Sequence, residues 1–492
     1  MARSYEPGSG ARHVTADKSI DARRWLALAV LGVVQLMVVL DATVMNIALP
    51  DAQRALYFSD ANRQWVVTGY SVAFGSLLLL GGRLSDLFGR RATFIAGLVG
   101  FGIASVVGGA AVNFEMLVAA RVGQGLFAAL LSPTILSLLT ATFHEPGERA
   151  KAFGVIGAIA GMGAAVGLLL GGSLTQGASW RWALYVNVAF VVAALIGTFL
   201  ALSTQVVDQK PTLDVPGTVT VTAALFSIVY GLSEASSKSW TDASTIGFLI
   251  AGVVLLAVFL VSQTRVANPI LPLRILMDRT RTGAYLAMFI LGIGMFAIFL
   301  FLIYYLQLNL RYSPIRAGIA FLPMVAAIII ASTTAPTLLL PRLGAKITVG
   351  SGFVLSAAGM ATLTRIGLKS QYVSGILPGL LLFGLGMGAV ISVALHGSSA
   401  GVDQADTGIA SAMVNMAQQV GGAIGIALLS TIAVTAQTEY LEGRELTPIV
   451  QAQAQIHSYT TTFWWATAIF VIGGLIVVAL LPNALPASAA EA

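Results

Sequence analysis

Apolar stretches of about 20 residues with hardly a charge recur along the whole chain, separated by short polar segments. Each is long enough to cross roughly 30 Å of hydrocarbon as a helix. The pattern predicts helices over residues 25–48, 64–82, 92–112, 115–141, 152–174, 181–202, 215–234, 241–263, 283–308, 317–339, 346–365, 374–396, 408–433 and 461–482. Runs such as Phe289 to Leu306 do not alternate between apolar and polar, which argues against a barrel of alternating segments of about 10 residues. An all-α membrane protein with 14 transmembrane helices is therefore expected.

Composition points the same way, since 57% of the 492 residues are hydrophobic and 10% charged, against about 25% charged in a soluble domain. The first apolar run continues to Ile47 without a small-residue cleavage site, as expected of a retained first helix and not a removed signal peptide. With the N-terminus cytoplasmic, most of the 27 Lys and Arg residues fall on cytoplasmic segments, so both termini are expected there. The net charge of +6 is thereby explained by topology, without nucleic acid. All seven tryptophans, Trp25, Trp65, Trp180, Trp182, Trp240, Trp464 and Trp465, fall at or near predicted helix ends, where the bilayer interface favours them. Cysteine is absent, which excludes disulfides and thiolate chemistry. The four histidines are scattered, and no nucleophile-and-base set is present, so neither a metal centre, a cofactor nor an enzyme is expected. There is no G-x-x-x-x-G-K-[ST] run to bind ATP, so uphill transport would draw on an ion gradient or on exchange.

The segment Gly82-Arg83-Leu84-Ser85-Asp86-Leu87-Phe88-Gly89-Arg90-Arg91 lies between the second and third predicted helices, and Pro341-Arg342-Leu343-Gly344-Ala345-Lys346 is a second, eroded copy after the tenth. Asp86 can accept hydrogen bonds from a helix start or an Arg, and Gly89 permits a tight turn, although the arginines could serve simply as anchors on the inner face. Two related loops suggest two related halves. The first loop closely resembles the loop motif of the major facilitator superfamily. The run Leu40-Asp41-Ala42-Thr43-Val44-Met45-Asn46-Ile47-Ala48-Leu49-Pro50, the run Arg121-Val122-Gly123-Gln124-Gly125, and the ladder Gly163, Gly167, Gly171 and Gly172 resemble motifs of its fourteen-helix drug/proton antiporter branch. The chain departs from that pattern at Leu168 and Ala189, where the branch usually has proline.

The resemblance implies two six-helix bundles plus two inserted helices: a cytoplasmic tail at 1–24, a bundle over 25–202, two linker helices within 203–263, a second bundle over 264–482 and a tail at 483–492. It also implies that residues Gly82, Asp86, Gly89, Arg90 and Arg91 act in conformational gating and that the glycine ladder is an antiporter seam, although close packing alone explains small residues at that spacing.

Asp41 is the one carboxylate predicted well inside a helix, where a charge costs several kcal/mol unless it meets a partner or water. It lies about 24 Å from Trp25 along its helix, and Arg121 about 9 Å inward from Glu115 on a helix running the opposite way. The two are expected at similar depth. Asp41 is then a candidate proton carrier, with proton and cationic substrate competing for its charge near Arg121; a static ion pair joining two helices is the competing reading. Gln35, Gln124, Phe296, Tyr304, Asn415, Gln418 and Gln419 are candidates to line a substrate cavity, since aromatic faces and a few amides suit lipophilic cations. The expectation is a monomeric, multi-pass carrier in a bacterial cell membrane, exchanging protons for hydrophobic or cationic drugs. The alternative is a lipid or endogenous-metabolite exporter on the same fold.

Overall fold

A computed structural model describes residues 10–59, 62–143, 145–202, 214–266, 269–399 and 407–482. Its elements are α1 (Gly10–Leu56), α2 (Gln64–Phe88), α3 (Arg90–Gly109), α4 (Phe114–Thr142), α5 (Pro146–Gly177), α6 (Trp182–Ala201), α7 (Val215–Ser237) and α8 (Ala243–Gln263), then the short α9 (Leu273–Met277). They continue with α10 (Arg279–Ala297), α11 (Pro314–Thr334), α12 (Leu340–Leu363), α13 (Leu377–Ser399), α14 (Thr407–Leu441) and α15 (Pro448–Leu480). Among the described residues no strand occurs. Each of the fourteen stretches predicted from the apolar pattern lies on one of these helices or on the π-helical turns that continue it, to within a few residues at the ends. Among the described residues eleven helical windows are long and apolar enough to cross a membrane; one of them, Pro314–Leu363, contains two of the predicted spans, and α2 and α5 are not among the eleven.

Short polar side chains start the helices where the sequence turns. Asn113, Asp214, Asp278, Ser313 and Thr447 each accept a hydrogen bond from a backbone N–H in the first turn that follows, which satisfies a donor the helix itself leaves open. α1 continues past its predicted end, through Pro50 to Leu56. α10 runs on through two π-helical turns, Ile298–Leu302 and Tyr305–Asn309, which re-aim the side chains around Tyr304.

α1 to α6 pack as one bundle, with α1 against α5 and α6, α2 against α4, and α3 against α4 and α6. α10 to α15 pack as a second, with α10 against α14 and α15, and α12 against α13 and α15. α7 and α8 pack on each other, and α7 rests on α2 and α14. The bundles meet along two seams, α2 with α14 and α5 with α11. The two loop copies share a backbone device: Gly89 has φ 89° and Gly344 has φ 76°, a left-handed conformation that glycine adopts without a Cβ penalty. Gly344 breaks the helical path at the head of α12 as Gly89 separates α2 from α3.

Candidate functional site

The most deeply buried charges of the described chain meet inside the first bundle. Asp41 on α1 and Arg121 on α4 are each 1% exposed, and Arg121 Nη1 donates to Asp41 Oδ2 at 2.5 Å. Asp41 Oδ1 accepts two amide bonds, from Gln124 Nε2 at 2.9 Å and from Asn187 Nδ2 at 2.7 Å. The guanidinium has further support: Nε donates to the Val66 carbonyl at 3.1 Å, Nη1 to Gln124 Oε1 at 2.8 Å, and its plane lies 4.5 Å from the Tyr70 ring. Gln124 also donates to Ser105 Oγ at 2.9 Å. Five helices of the bundle, α1, α2, α3, α4 and α6, therefore converge on one carboxylate.

The two carboxylate oxygens differ in what they can do. Oδ1 is an acceptor for two amides in either protonation state, whereas among the described residues Oδ2 accepts from the Arg121 guanidinium. A proton arriving at Oδ2 would cost the Arg121 bond and leave both amide bonds intact. Arg121 would keep two carbonyl acceptors and an aromatic face, so its charge would remain solvated by the protein without the carboxylate. A buried pair whose members both retain partners when separated is suited to being opened. The acids near the helix ends differ: Glu234 lies beyond the apolar span of α7, and the hydrogen bond from Lys238 at 2.7 Å holds its carboxyl below the ordinary range.

The cavity candidates are dispersed and do not line one place. Gln124 is fully buried in the network just described. Gln35 on α1 and Asn415, Gln418 and Gln419 on α14 are half-buried. α14 carries the last two into the seam with α2 and against α10: a methyl group at Gly75 would stand 3.3 Å from Gln419 Cβ, and one at Gly292 2.1 Å from the Gln418 carbonyl. Phe296 is buried where Gly422 has no side chain. Tyr304 is buried at the end of the molecule that bears the α1–α2 turn, the face predicted to be extracellular. There it links the two bundles, donating to Gln53 Oε1 at 2.6 Å with Arg63 stacked 4.2 Å from its ring, while Gln307 donates to the Ile47 carbonyl at 3.1 Å.

Along α5 the glycine ladder packs closely on its neighbours. Gly163, Gly167 and Gly171 face α1, where a Cβ would come within 2.9 Å of Val39, 1.9 Å of Thr43 Oγ1 and 3.0 Å of Val44. Gly172 faces the other bundle, where a Cβ would sit 2.5 Å from Ile315 Cα. In the loop, Gly82 is half-buried, Arg91 lies 5.5 Å from the Phe199 ring, and Arg90 heads α3; the Asp86 side chain lies outside the described residues. Arg83 Nη2 donates to the Pro269 carbonyl at 3.1 Å, tying this loop to the segment that leads into the second bundle.

Sequence reasoning did not place Asn187, Ser105, Tyr70, Gln53 or Arg63 in a site. Asn187 offered a signal, an amide within the apolar run Trp182–Ala201, where an unpaired polar group is costly. The others depend on which helices touch.

The bonds at Tyr304 carry an expected result of their own. Tyr304→Phe removes one interbundle hydrogen bond, about 1 kcal/mol, and should raise the share of conformers open at that end roughly fivefold. Because the chain has no native cysteine, a single cysteine at the fully buried Ala52 reports this as faster thiol labelling. An unchanged rate would mean that this bond does not hold the end closed.

The sequence pattern of the Major Facilitator Superfamily matches residues 31–426. The chain is 44% identical to a puromycin resistance protein of Streptomyces alboniger over 485 residues, covering 98% of this chain and 96% of that one. It is 31% identical to a tetracenomycin C resistance and export protein of Streptomyces glaucescens, over 87% of this chain and 79% of the other. A bacterial homolog of the human lysosomal transporter Spinster, solved in an inward-facing and unoccupied conformation, superposes with a TM-score of 0.64 at 15% identity, over 93% of this chain and 96% of that one. With its helical bundles, its paired loops and these matches in hand, the chain belongs to the Major Facilitator Superfamily.

Proposed function

We propose that this protein exports hydrophobic or cationic drugs and toxic compounds from a bacterial cell by exchanging them for protons, with both termini in the cytoplasm. The single observation that carries the reading is the Asp41–Arg121 pair, buried to 1% yet supplied with alternative partners for both charges. Protonation of Asp41 releases Arg121 from the carboxylate while the Val66 and Gln124 carbonyls, to which it already donates, still hold it, and loss of the proton restores the pair. Such a two-position element is what couples proton binding to movement. The bundles over 25–202 and 264–482 rock about the α2–α14 and α5–α11 seams, and the α7–α8 pair rides between them. The contacts of Tyr304, Gln307 and Gly172 join the two bundles at the end this reading makes extracellular, and they are the contacts that must part when that end opens. Gln418 and Gln419 at the seam, with Gln35 and Asn415, provide the polar groups of the substrate path, and the glycine loop from Gly82 to Arg91 steadies the inner gate.

Two relatives bear the names of resistance to natural antibiotics, and one of export. This supports the antibiotic-like class of cargo, and it equally supports a second reading, export of a secondary metabolite that the cell itself makes. Uptake by energised cells separates them. Expressing the chain should lower accumulation of ethidium-like dyes and of puromycin-like aminonucleosides several-fold, and a protonophore should abolish the difference. If no dye responds while one endogenous amphiphile does, the dedicated-metabolite reading stands in its place.

A further inference from the structure

The two bundles end alike on the face opposite Tyr304, and the comparison exposes a pocket in one of them. In the first bundle Arg23, where the apolar span of α1 begins, donates to the carbonyl of Ala201 at the end of α6, at 3.3 Å. In the second, Arg279 at the head of α10 donates to the carbonyl of Ala479 at the end of α15, also at 3.3 Å. The residue two positions after the left-handed glycine is Arg91 in one copy and Lys346 in the other. At this end of the first bundle Arg24 of α1 pairs with Glu148 of α5 at 3.2 Å, and Arg91 lies 5.5 Å from the Phe199 ring. In the second, Arg279, Thr280, Lys346 and the chain from Ala479 to Pro482 surround a cavity of about 330 Å³, within the size range of ligand sites. No carboxylate among the described residues pairs with Arg279 or Lys346. The nearest in sequence, Asp278, is taken by the Arg281 backbone N–H at 3.0 Å and the Arg281 guanidinium at 3.5 Å.

The surroundings say what kind of anion reaches it. The cavity lies where three membrane-crossing helices end, and beside it the exposed side chains are apolar: Ile347 next to Lys346, and Leu475 and Ile476 one turn up α15. Surfaces of that kind face acyl chains, so the cations stand at headgroup depth, with aliphatic neighbours extending into the hydrocarbon. We propose that this pocket binds the phosphate of an anionic phospholipid, with Arg279 and Lys346 as its two charges and the Thr280 hydroxyl as a further donor. A lipid held there staples α10, α12 and α15 at the end that the first bundle secures with its own ion pair.

The test uses the purified full-length chain in detergent, titrated with phosphatidylglycerol or phosphatidylcholine and read by native mass spectrometry and by the thermal midpoint. The wild type should retain and be stabilised by phosphatidylglycerol in preference to phosphatidylcholine. Replacing both cations, Arg279→Gln with Lys346→Gln, should weaken phosphatidylglycerol binding about thirtyfold and leave phosphatidylcholine binding unchanged. The charge-keeping pair Arg279→Lys with Lys346→Arg should retain the preference. Should the neutral pair fail to fold, Lys346→Gln alone should show a loss of roughly fivefold. Equal phosphatidylglycerol affinity in wild type and neutral variants would overturn the site. Displacement of the lipid by millimolar inorganic phosphate, with the same dependence on the two cations, would overturn the lipid as its occupant.

Discussion

Asp41→Asn should leave a folded protein that no longer couples transport to protons. Asparagine keeps the shape of the protonated acid, and its carbonyl oxygen can still accept the amides of Gln124 and Asn187 that now reach Oδ1 at 2.9 and 2.7 Å. What it removes is the charge opposite Arg121, whose remaining acceptors are Gln124 Oε1 and the Val66 carbonyl. Accumulation of dye against a pH gradient should fall to background, at least a hundredfold below the wild type if the proton step is obligatory, a barrier difference of about 3 kcal/mol. Downhill exchange of substrate across the membrane should persist. A static pair predicts the opposite signature. Breaking one member of a buried ion pair typically costs roughly 3–5 kcal/mol of stability, so expression and thermal midpoint would fall with no selective loss of coupling.

Gly172→Val should disable the cycle at a different point, by stopping the outer end from closing. A Cβ at Gly172 would lie 2.5 Å from Ile315 Cα and 2.9 Å from the Pro314 carbonyl, both backbone atoms of α11 in the other bundle. No rotamer change relieves a clash with backbone. Forcing the seam apart should cost roughly 1–3 kcal/mol, which reduces the closed conformer about fivefold to 150-fold. Each bundle should still fold, because the clash lies between them. Gly421→Val is the contrast: its Cβ would meet the Phe289 carbonyl at 2.0 Å inside the second bundle, so lost expression is expected there. Size-exclusion profiles and thiol labelling at Ala52→Cys separate the two outcomes, and wild-type transport by Gly172→Val would show that the α5–α11 seam need not close tightly.

Much of this was legible in the sequence because a bilayer imposes so few choices. Once the backbone must satisfy its own hydrogen bonds in hydrocarbon, an apolar run of sufficient length becomes a helix, and the fourteen runs map onto α1 to α15 apart from the short α9. Asp41 and Arg121 stood out for the same reason, as charges in segments that exclude charge. The rest depended on which helices touch. Gln124 reads from its position as a cavity amide, and only the approach of α1 to α4 turns it into a partner of Asp41. Tyr304 reads the same way, and the π turns of α10 bring it to Gln53, 251 positions away along the chain. Asn187 was visible as an amide in an apolar helix, but nothing local says which helix it faces. The pocket between Arg279 and Lys346 joins the ends of three helices, and sequence spacing offers no signal for it.

The most direct test of the central claim is substrate-induced proton release from purified protein, followed by pH-gradient-driven dye uptake in proteoliposomes, for wild type and Asp41→Asn side by side. The account predicts that adding an ethidium-like dye to the wild type releases protons and that an imposed gradient drives uptake, with both signals absent in a well-folded Asp41→Asn. Proton release and gradient-driven uptake that persist in Asp41→Asn would contradict it and move the coupling proton to another group.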